Sequence, residues 1–157
     1  TGVHTRKIFD EKLAQECAHT SRYKLLLSLA IMDIDHFKLV NDNYGHQAGD
    51  GLLVWLGRLL KQSVREVDFV ARYGGEEFVL IFPETSKKDA VNIVDSIRSK
   101  IEIQGFTPNG SAPVRVTVSI GVASFPDETT SPHQLIRAAD ERLYLAKGTG
   151  RNRVVSY

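Results

Sequence analysis

The chain has 157 residues, enough for one domain with a full hydrophobic core, and its 42% hydrophobic and 25% charged residues are typical of a globular protein. A formal net charge of +1 argues against a protein that coats a nucleic-acid polymer or an anionic membrane. The sequence shows no signal peptide and no run of about 18 apolar residues that could span a bilayer. Its single cysteine excludes an intrachain disulfide, so we expect a cytoplasmic protein.

The first part of the chain predicts a helix, a buried strand and two further helices. Apolar residues recur at helical spacing from Ile8 to Cys17 and predict an opening helix, in which Cys17 is a small buried hydrophobe rather than a nucleophile. The almost continuously apolar run 25–32 predicts a central strand buried on both faces. Asp35 can cap the short helix that follows, and regularly spaced leucines predict a longer helix over 48–64.

A hairpin comes next. Strand-like runs at 68–73 and 78–82 flank Gly74 and Gly75, and a glycine pair between two strands is typical of a two-residue hairpin turn. Because glycine has no Cβ, the pair can also let a ligand lie against the backbone. A lone glycine pair favours the simple turn.

The last part of the chain predicts two helices and two strands. Ser86 with Asp89 resembles a capping box at the start of the first helix, and alternating apolar residues over 114–122 predict a half-buried strand. Ser131 caps the last helix, Gly148 suits its C-terminal cap, and 154–155 can add an edge strand. Since strands alternate with helices around one hairpin, the fold class is α/β (α+β), with a mixed, antiparallel-rich sheet of about five strands flanked by helices.

Acidic residues stand at the end of the predicted central strand and at the hairpin turn. Asp33 and Asp35 end the strand, and Glu76 and Glu77 follow the glycine pair. If the two strands are neighbours, these carboxylates converge, and a divalent cation relieves their mutual repulsion. Oxygen ligands beside phosphate chemistry favour magnesium. From spacing alone, a helix cap at Asp35 and solvated turn glutamates remain the alternatives.

The segments around these acids offer groups that suit a guanine nucleotide. Backbone N–H groups of 37–46 open a helix and can hold phosphate. Asn41 and Asp50 can read guanine through an amide and a carboxylate, and either can equally be a cap or turn residue. Lys147 and Arg151 can neutralise a triphosphate, although taken alone such residues more often belong to a solvated helix end.

Several motifs together resemble the GGDEF family of diguanylate cyclases, in the common GGEEF form of its signature. They are MDIDHFK at 32–38, NDNYGH at 41–46, GD at 49–50, RYGGEEF at 72–78, SIGV at 119–122 and AKGTGRN at 146–152. The match extends over essentially the whole chain in one register. The resemblance implies a fold similar to that of class III nucleotide cyclases and polymerase palms. It also implies that 1–157 is one catalytic domain taken from a longer protein with an upstream sensor domain.

The resemblance implies an enzyme that condenses two GTP molecules into cyclic di-GMP, a bacterial second messenger, with release of pyrophosphate. Asp33 and the Ile34 carbonyl would hold Mg²⁺, or Mn²⁺ in its place, together with Glu76 or Glu77. One of these two glutamates would also help to deprotonate the attacking 3′-hydroxyl. The implied substrate-binding residues are Phe37, Lys38, Asn41, His46, Asp50, Arg72, Gly74, Gly75, Lys147 and Arg151.

Each domain of this family binds one GTP, so the implied active species is a two-fold homodimer with a half-site on each partner. Arg65 and Asp68 resemble the family's RxxD inhibitory motif, which binds the cyclic di-GMP product, although RxxD by itself is a weak pattern. Ser96 stands where some members supply a further arginine, with Arg98 nearby. The resemblance implies no nucleic-acid polymer as a partner and no direct membrane contact.

Three other functions are compatible with such a domain: a catalytically silent product receptor, a cyclase of altered base choice and a scaffold that only dimerises. The receptor and the scaffold do not need the acidic signature, which is intact here. Altered base choice is disfavoured because the carboxylate of Asp50 suits the N1 and N2 donors of guanine, and adenine lacks the N1–H. The sequence therefore favours the guanine-specific cyclase.

Overall fold

The structure is a computed structural model that describes residues 1–157, in which helices alternate with the strands of one five-stranded sheet. The α-helices are α1 (Arg6–Tyr23), α2 (Phe37–Tyr44), α3 (His46–Ser63), α4 (Lys87–Gln104) and α5 (Pro132–Gly148). The strands are β1 (Leu27–Ile34), β2 (Phe69–Arg72), β3 (Glu77–Pro83), β4 (Val118–Phe125) and β5 (Val154–Val155). A short 3-10 turn, Pro108–Gly110, lies in the loop after α4.

Strand β1 is the centre of the sheet, whose order is β2-β3-β1-β4-β5. It runs antiparallel to both β3 and β4, and only the edge strand β5 pairs in parallel. All residues of β1 are buried, as its nearly continuous apolar sequence predicts for a strand covered on both faces. The predicted fold class and central strand are confirmed.

Helices cover both faces of the sheet. Ala30 and Met32 point into a core shared with α3 and α4, whereas Leu29 and Ile31 point into a second core with α1 and α5. This alternation follows from the two-residue period of a strand. The sheet therefore separates two cores, and its strand ends are free to carry polar side chains.

The predicted strand over 114–122 is corrected by the structure. The ladder of β4 begins at Val118, and every residue of the strand is buried. The preceding Val114 pairs with Phe106 in an isolated bridge. A Cβ at Gly121 would collide with the backbone of α5, so this glycine allows the helix to lie directly on the strand. The sequence pattern predicted an exposed second face because serine and glycine alternate with the apolar residues, whereas in the structure α5 covers that face.

The helix ends agree with the sequence in most details. The side-chain oxygens of Ser86 and Ser131 accept hydrogen bonds from the backbone N–H groups of Asp89 and Gln134, so both predicted caps are confirmed. Gly148 is the last residue of α5 rather than its cap, because the cap position falls on Thr149. No helix combines the length and the apolar character needed to traverse a bilayer.

Cys17 is buried on the inner face of α1, as predicted. Burial raises the pKa of its thiol to about 11, with a smaller contribution from the neighbouring Glu16. A thiol in this state is a poor nucleophile.

Candidate active site

The acids of the two motifs meet at one end of the sheet. Strands β1 and β3 are neighbours, and their register pairs Asp33 with Glu77. The backbone N–H of Ile34 donates to the Glu76 carbonyl at 3.3 Å, which fixes the turn against the end of β1. The predicted convergence is confirmed for Asp33, Glu76 and Glu77, whereas the Asp35 carboxylate is bound by other partners.

Lys147 belongs to the same cluster. Its Nζ lies 2.8 Å from Asp33 Oδ2, and the Asp33 side chain is only 7% exposed. The lysine comes from the last turn of α5, a helix packed on β1 and β4. In this structure the lysine therefore neutralises the buried aspartate, and a phosphate bound here would meet both charges of the pair.

The environment of the cluster disfavours negative charge. Burial raises the pKa of Asp33, and the hydrogen bond and charge of Lys147 offset this only in part. Burial, followed by repulsion from Asp33, raises the pKa values of Glu76 and Glu77 as well. Carboxyls with raised pKa values in a shared site are suited to hold a cation or to accept a proton.

A magnesium ion fits this donor set only together with a substrate. Residues 1–157 contain no preformed group of three or more His, Cys, Asp or Glu side chains with metal-site geometry. Magnesium in phosphoryl-transfer enzymes is commonly held by one or two carboxylates plus substrate phosphates and water. Asp33 with Glu76 or Glu77, beside the backbone carbonyl of Ile34, supplies that number of protein oxygens.

The turn that carries the glutamates is wider than predicted. Tyr73 N–H donates to the Glu77 carbonyl at 2.8 Å, which closes a loop of three residues rather than two. Neither Gly74 nor Gly75 has the positive φ that a two-residue hairpin turn requires. Arg72 holds the loop instead, since its Nη2 donates to the Gly75 carbonyl at 2.6 Å and its Nε to the Gly74 carbonyl at 3.1 Å.

Asp35 does not cap α2, which corrects the capping prediction. The residue before the helix is His36, whose φ of 55° is left-handed and which makes no side-chain cap. The Asp35 carboxylate accepts hydrogen bonds from Thr117 Oγ1 at 2.8 Å, Ser119 Oγ at 2.7 Å and the Asn152 backbone N–H at 3.0 Å. These three partners were not predicted, because alternation alone assigned Thr117 and Ser119 to the solvent side of a half-buried strand.

The candidate guanine-binding residues gather where α2 meets α3. A Cβ on Gly49 would collide with Asn41 Oδ1 and press on the Phe37 ring, so this glycine makes room for the amide. Asp50 follows on the exposed side of α3, and His46 is exposed at its first position. The structure thus brings Asn41 and Phe37 together at Gly49, places His46 and Asp50 one turn apart on α3, and leaves Lys38 exposed on the short helix α2.

The RxxD pair forms a clamp at the end of β2 and β3 that lies away from the acidic turn. Asp68 has a side chain only 1% exposed, and Arg65 Nη2 lies 2.7 Å from its Oδ1. The same guanidinium nitrogen donates to the Pro83 carbonyl and to Thr85 Oγ1. A groove of about 670 Å³ lies beside the clamp, lined also by residues of α1, and none of the acidic cluster lines it.

Helix α4 presents no free arginine at the position where some family members supply a further one. Ser96 is exposed. Arg98 is engaged by Asp95 and Glu102 on its own helix and by the Asn152 side chain. Its role in this structure is to join α4 to the C-terminal loop.

The chain matches the family model described as "Diguanylate cyclase, GGDEF domain" over residues 1–153. It is 39% identical over 156 residues to the response regulator PleD of Caulobacter vibrioides. That alignment covers 99% of this chain but 34% of PleD, so the chain spans about a third of that relative's length.

Solved structures agree over nearly the whole chain. The GGDEF domain of DgcB from Caulobacter crescentus, in complex with c-di-GMP, has a TM-score of 0.94 and 34% identity, covering 99% of this chain and 92% of that one. The active GGEEF domain of a diguanylate cyclase from Vibrio cholerae has a TM-score of 0.91 and 30% identity, covering 100% of this chain and 98% of that one.

Proposed function

The chain belongs to the GGDEF family of diguanylate cyclase domains, and we propose that it condenses two GTP molecules into cyclic di-GMP and pyrophosphate with Mg²⁺. The observation that carries this proposal is the meeting of Asp33 with Glu76 and Glu77 on neighbouring strands, beside Lys147. Two relatives of known structure are described as a domain bound to c-di-GMP and as an active GGEEF domain, which supports the same activity here.

Asp33, the Ile34 carbonyl and one of the two glutamates would hold the metal. Bound there, Mg²⁺ or Mn²⁺ would polarise the α-phosphate and stabilise the charge that develops on the leaving pyrophosphate. The raised pKa of Glu76 and of Glu77 brings each carboxyl closer to the pH at which it can accept a proton from the 3′-hydroxyl. The second glutamate would then be available for this proton transfer.

The remaining residues would bind the nucleotide. Asn41 and Asp50 would read the guanine edge at the junction of α2 and α3, with His46 beside them. Phe37, through its backbone N–H, and Lys38 would hold phosphate from one side. Lys147 and Arg151 would hold it from the other. The glycine pair would let the nucleotide approach the turn, whose carbonyls Arg72 fixes.

Each domain would supply one GTP half-site, so two copies of the chain must face each other for catalysis. Each 3′-hydroxyl would attack the α-phosphate of the nucleotide on the partner. The active species would be a two-fold homodimer, and an upstream sensor domain in the parent protein would control how often the two half-sites meet. The match to only a third of PleD, a response regulator, supports such a parent architecture.

Arg65 and Asp68 would form the product site. Because Asp68 is buried beneath the guanidinium, it would orient Arg65 rather than meet the product as a free carboxylate. The exposed side of Arg65 would grip a guanine edge or phosphate of cyclic di-GMP. Arg65→Ala should therefore relieve product inhibition and leave the initial rate without product unchanged, which progress curves with and without added cyclic di-GMP would measure.

Turnover of GTP tests the cyclase activity. Purified protein, forced to dimerise by a fused coiled coil, is incubated with GTP and Mg²⁺, and pyrophosphate and cyclic dinucleotide are quantified. We expect both products from the unmodified chain, and a loss of at least about 100-fold in Glu76→Gln or Glu77→Gln. Glu141→Gln is the matched control, since Glu141 is exposed on α5 and paired only with Arg137.

If the forced dimer binds cyclic di-GMP saturably but does not turn over GTP, the chain is a product receptor and not a cyclase. Turnover of ATP in preference to GTP would instead point to altered base choice. Equal activity in the Glu76→Gln and Glu141→Gln proteins would show that Glu76 has no role in catalysis.

A further inference from the structure

Asp35 joins three parts of the chain through one buried carboxylate. The residue is 7% exposed, and its Oδ1 accepts a hydrogen bond from Ser119 Oγ. Its Oδ2 accepts from Thr117 Oγ1 and from the backbone N–H of Asn152, which is 117 residues away in the chain. With both oxygens engaged in this way, the carboxylate is occupied within the protein and does not join Asp33 in the acidic cluster.

The C-terminal loop that reaches Asp35 has a backbone that needs support. Arg151 and Asn152 are consecutive non-glycine residues with φ values of 62° and 46°, a conformation that L-amino acids adopt at a cost. The loop is held by the Arg151 N–H bond to Ala146 and by Arg98 Nη1, which donates to Asn152 Oδ1 at 2.8 Å. The bond from Asn152 N–H to Asp35 is the contact that ties this loop to the end of β1.

The same residue also fixes the backbone next to Asp33. The Asp35 N–H donates to the Thr117 carbonyl at 2.9 Å, so the peptide between Ile34 and Asp35 has a set orientation. The Ile34 carbonyl belongs to that peptide. The backbone at the end of β1 and the loop that carries Arg151 therefore share one anchor.

We propose that Asp35 is a positioning residue, which holds the Arg151 loop in register with the acidic end of β1. This inference rests on the proposed function, in which Arg151 binds the phosphates of GTP. Asp35 touches neither the nucleotide nor the metal. It acts through the Asn152 amide, and its loss leaves the charge of Arg151 intact but lets the loop move.

Hydrogen exchange of the free protein tests the anchor without any nucleotide. Asp35→Asn keeps the shape but removes the negative charge, so the charge-assisted bond from the Asn152 N–H becomes a weaker neutral one, and we expect the amides of 150–153 to exchange about tenfold faster. The matched control is Ser28→Ala, near the other end of β1, which removes the buried hydrogen bond of 2.8 Å that Ser28 Oγ donates to the Thr85 carbonyl. That control should leave exchange in 150–153 unchanged.

Binding of a non-hydrolysable GTP analogue then tests the link to Arg151. Asp35→Asn should weaken binding by about tenfold in the unmodified background. It should weaken binding by less than about twofold in an Arg151→Ala background, because the two changes then remove the same interaction. A merely structural loss of stability would weaken binding equally in both backgrounds and would overturn the proposal.

If Asp35→Asn fails to fold, Thr117→Val replaces it, since valine keeps the side-chain shape and removes one of the two hydroxyl donors. Thr117→Val should speed exchange at 150–153 and weaken binding of the analogue by smaller factors, again with little effect on binding in the Arg151→Ala background. Unchanged exchange at 150–153 in a folded variant would overturn the proposal. A chain that neither binds nor turns over GTP would refute the proposed function, whereas the exchange measurement would still decide whether Asp35 holds the loop.

Discussion

Glu76 and Asp33 show a conflict between stability and function at the level of single residues. Both carboxyls have pKa values raised chiefly by burial, so the folded state binds protons more readily than the unfolded chain. The stabilisation from bound protons is fully present below the unfolded pKa and is lost as the pH rises through the folded pKa. At neutral pH without metal, the ionised cluster therefore lowers the free energy of unfolding.

Glu76→Gln should raise the melting temperature of the metal-free protein at pH 7, by on the order of 1–3 °C, because it removes one of the clustered charges. Calorimetry in a chelating buffer measures this. The gain should shrink as the pH is lowered towards 4, where the wild-type carboxyl becomes protonated. A variant that is less stable than wild type at pH 7 would contradict this, because it would show that the ionised glutamate stabilises the fold.

Arg72→Lys should lower the turnover number about tenfold with little change in the affinity for GTP. Lysine cannot make the paired bonds that Arg72 donates to the Gly74 and Gly75 carbonyls, so the turn that carries Glu76 loses its fixed shape. Steady-state kinetics separate the two effects. Arg58→Lys, on the exposed face of α3, is the matched control, and an equal effect in both variants would contradict the role of Arg72.

At the residue scale, the sequence predicted the meeting of the acids but not the partners of Asp35. Asp33 could be predicted because a carboxylate at the end of a buried strand needs a counter-charge, and the second acidic motif supplied the neighbour. Asn152 could not be predicted, since a backbone N–H bond across 117 residues leaves no local pattern. The burial of Asp68 could not be predicted either, because RxxD spacing does not distinguish a free carboxylate from one that lies under its own arginine.

At the scale of elements, the contact between α2 and α3 depends on one glycine. Gly49→Ala should displace the Asn41 amide, because the added Cβ would occupy its position, and it should destabilise the protein by about 1–3 kcal/mol. Affinity for a GTP analogue should fall with it. Titration calorimetry and thermal unfolding measure the two effects.

Gly51→Ala is the matched control on the same helix. Its added Cβ would meet only the Phe106 ring, at a contact distance of 3.4 Å. The change should stabilise α3 by about 0.5–1 kcal/mol through helix propensity and leave nucleotide binding unaltered. Equal loss of binding in both alanine variants would contradict the assigned place of the guanine site.

Glu128 joins α4, β4 and α5. Its carboxylate accepts from Lys87 Nζ at 2.7 Å, from the Ser124 N–H at 2.9 Å and from two nitrogens of Arg142. Burial acts to raise the pKa of Glu128, but the bonds from Arg142, Lys87 and Ser124 outweigh it and lower the pKa to about 2. The group therefore stabilises the fold above its unfolded pKa, and this stabilisation is lost as the pH falls from about 4.5 to about 2.

Glu128→Gln should lower the melting temperature at pH 7, and the difference from wild type should shrink as the pH falls through this window. Thermal unfolding at pH values from 7 to about 3 measures the trend. Glu141→Gln, which breaks an exposed ion pair, should change the melting temperature little at any pH. A difference that stays constant with pH would show that shape rather than charge explains the effect of Glu128.

The helices α1 and α3 were predictable because their apolar residues recur at helical spacing, and β1 was predictable because its apolar run is almost continuous. The errors fell on β4 and on the signature turn. Small residues such as Ser119 and Gly121 read as an exposed face, yet in the structure α5 lies directly on the strand. The glycine pair indicated a turn correctly, but the bonds from Arg72 that set its width come from a side chain and not from a turn pattern.

At the scale of the whole molecule, the proposed mechanism pairs two chains, each with one acidic site, to form the two phosphodiester bonds of the cyclic product. The initial rate per domain should therefore rise with protein concentration in the dilute range, and a fused dimeriser should remove that dependence. Initial rates across a dilution series, with sedimentation to follow assembly, measure this. A constant rate per domain where sedimentation shows only monomer would contradict the paired half-sites.

The most direct test of the account is to locate the metal. Crystals grown with a non-hydrolysable GTP analogue and Mn²⁺ would be measured for anomalous scattering, with Asp33→Asn as the comparison. We expect an anomalous peak about 2–2.3 Å from oxygens of Asp33, Ile34 and Glu76 or Glu77, shared with phosphate oxygens, and its loss in Asp33→Asn. Bound analogue with the ion elsewhere, or with an undiminished peak in Asp33→Asn, would contradict it.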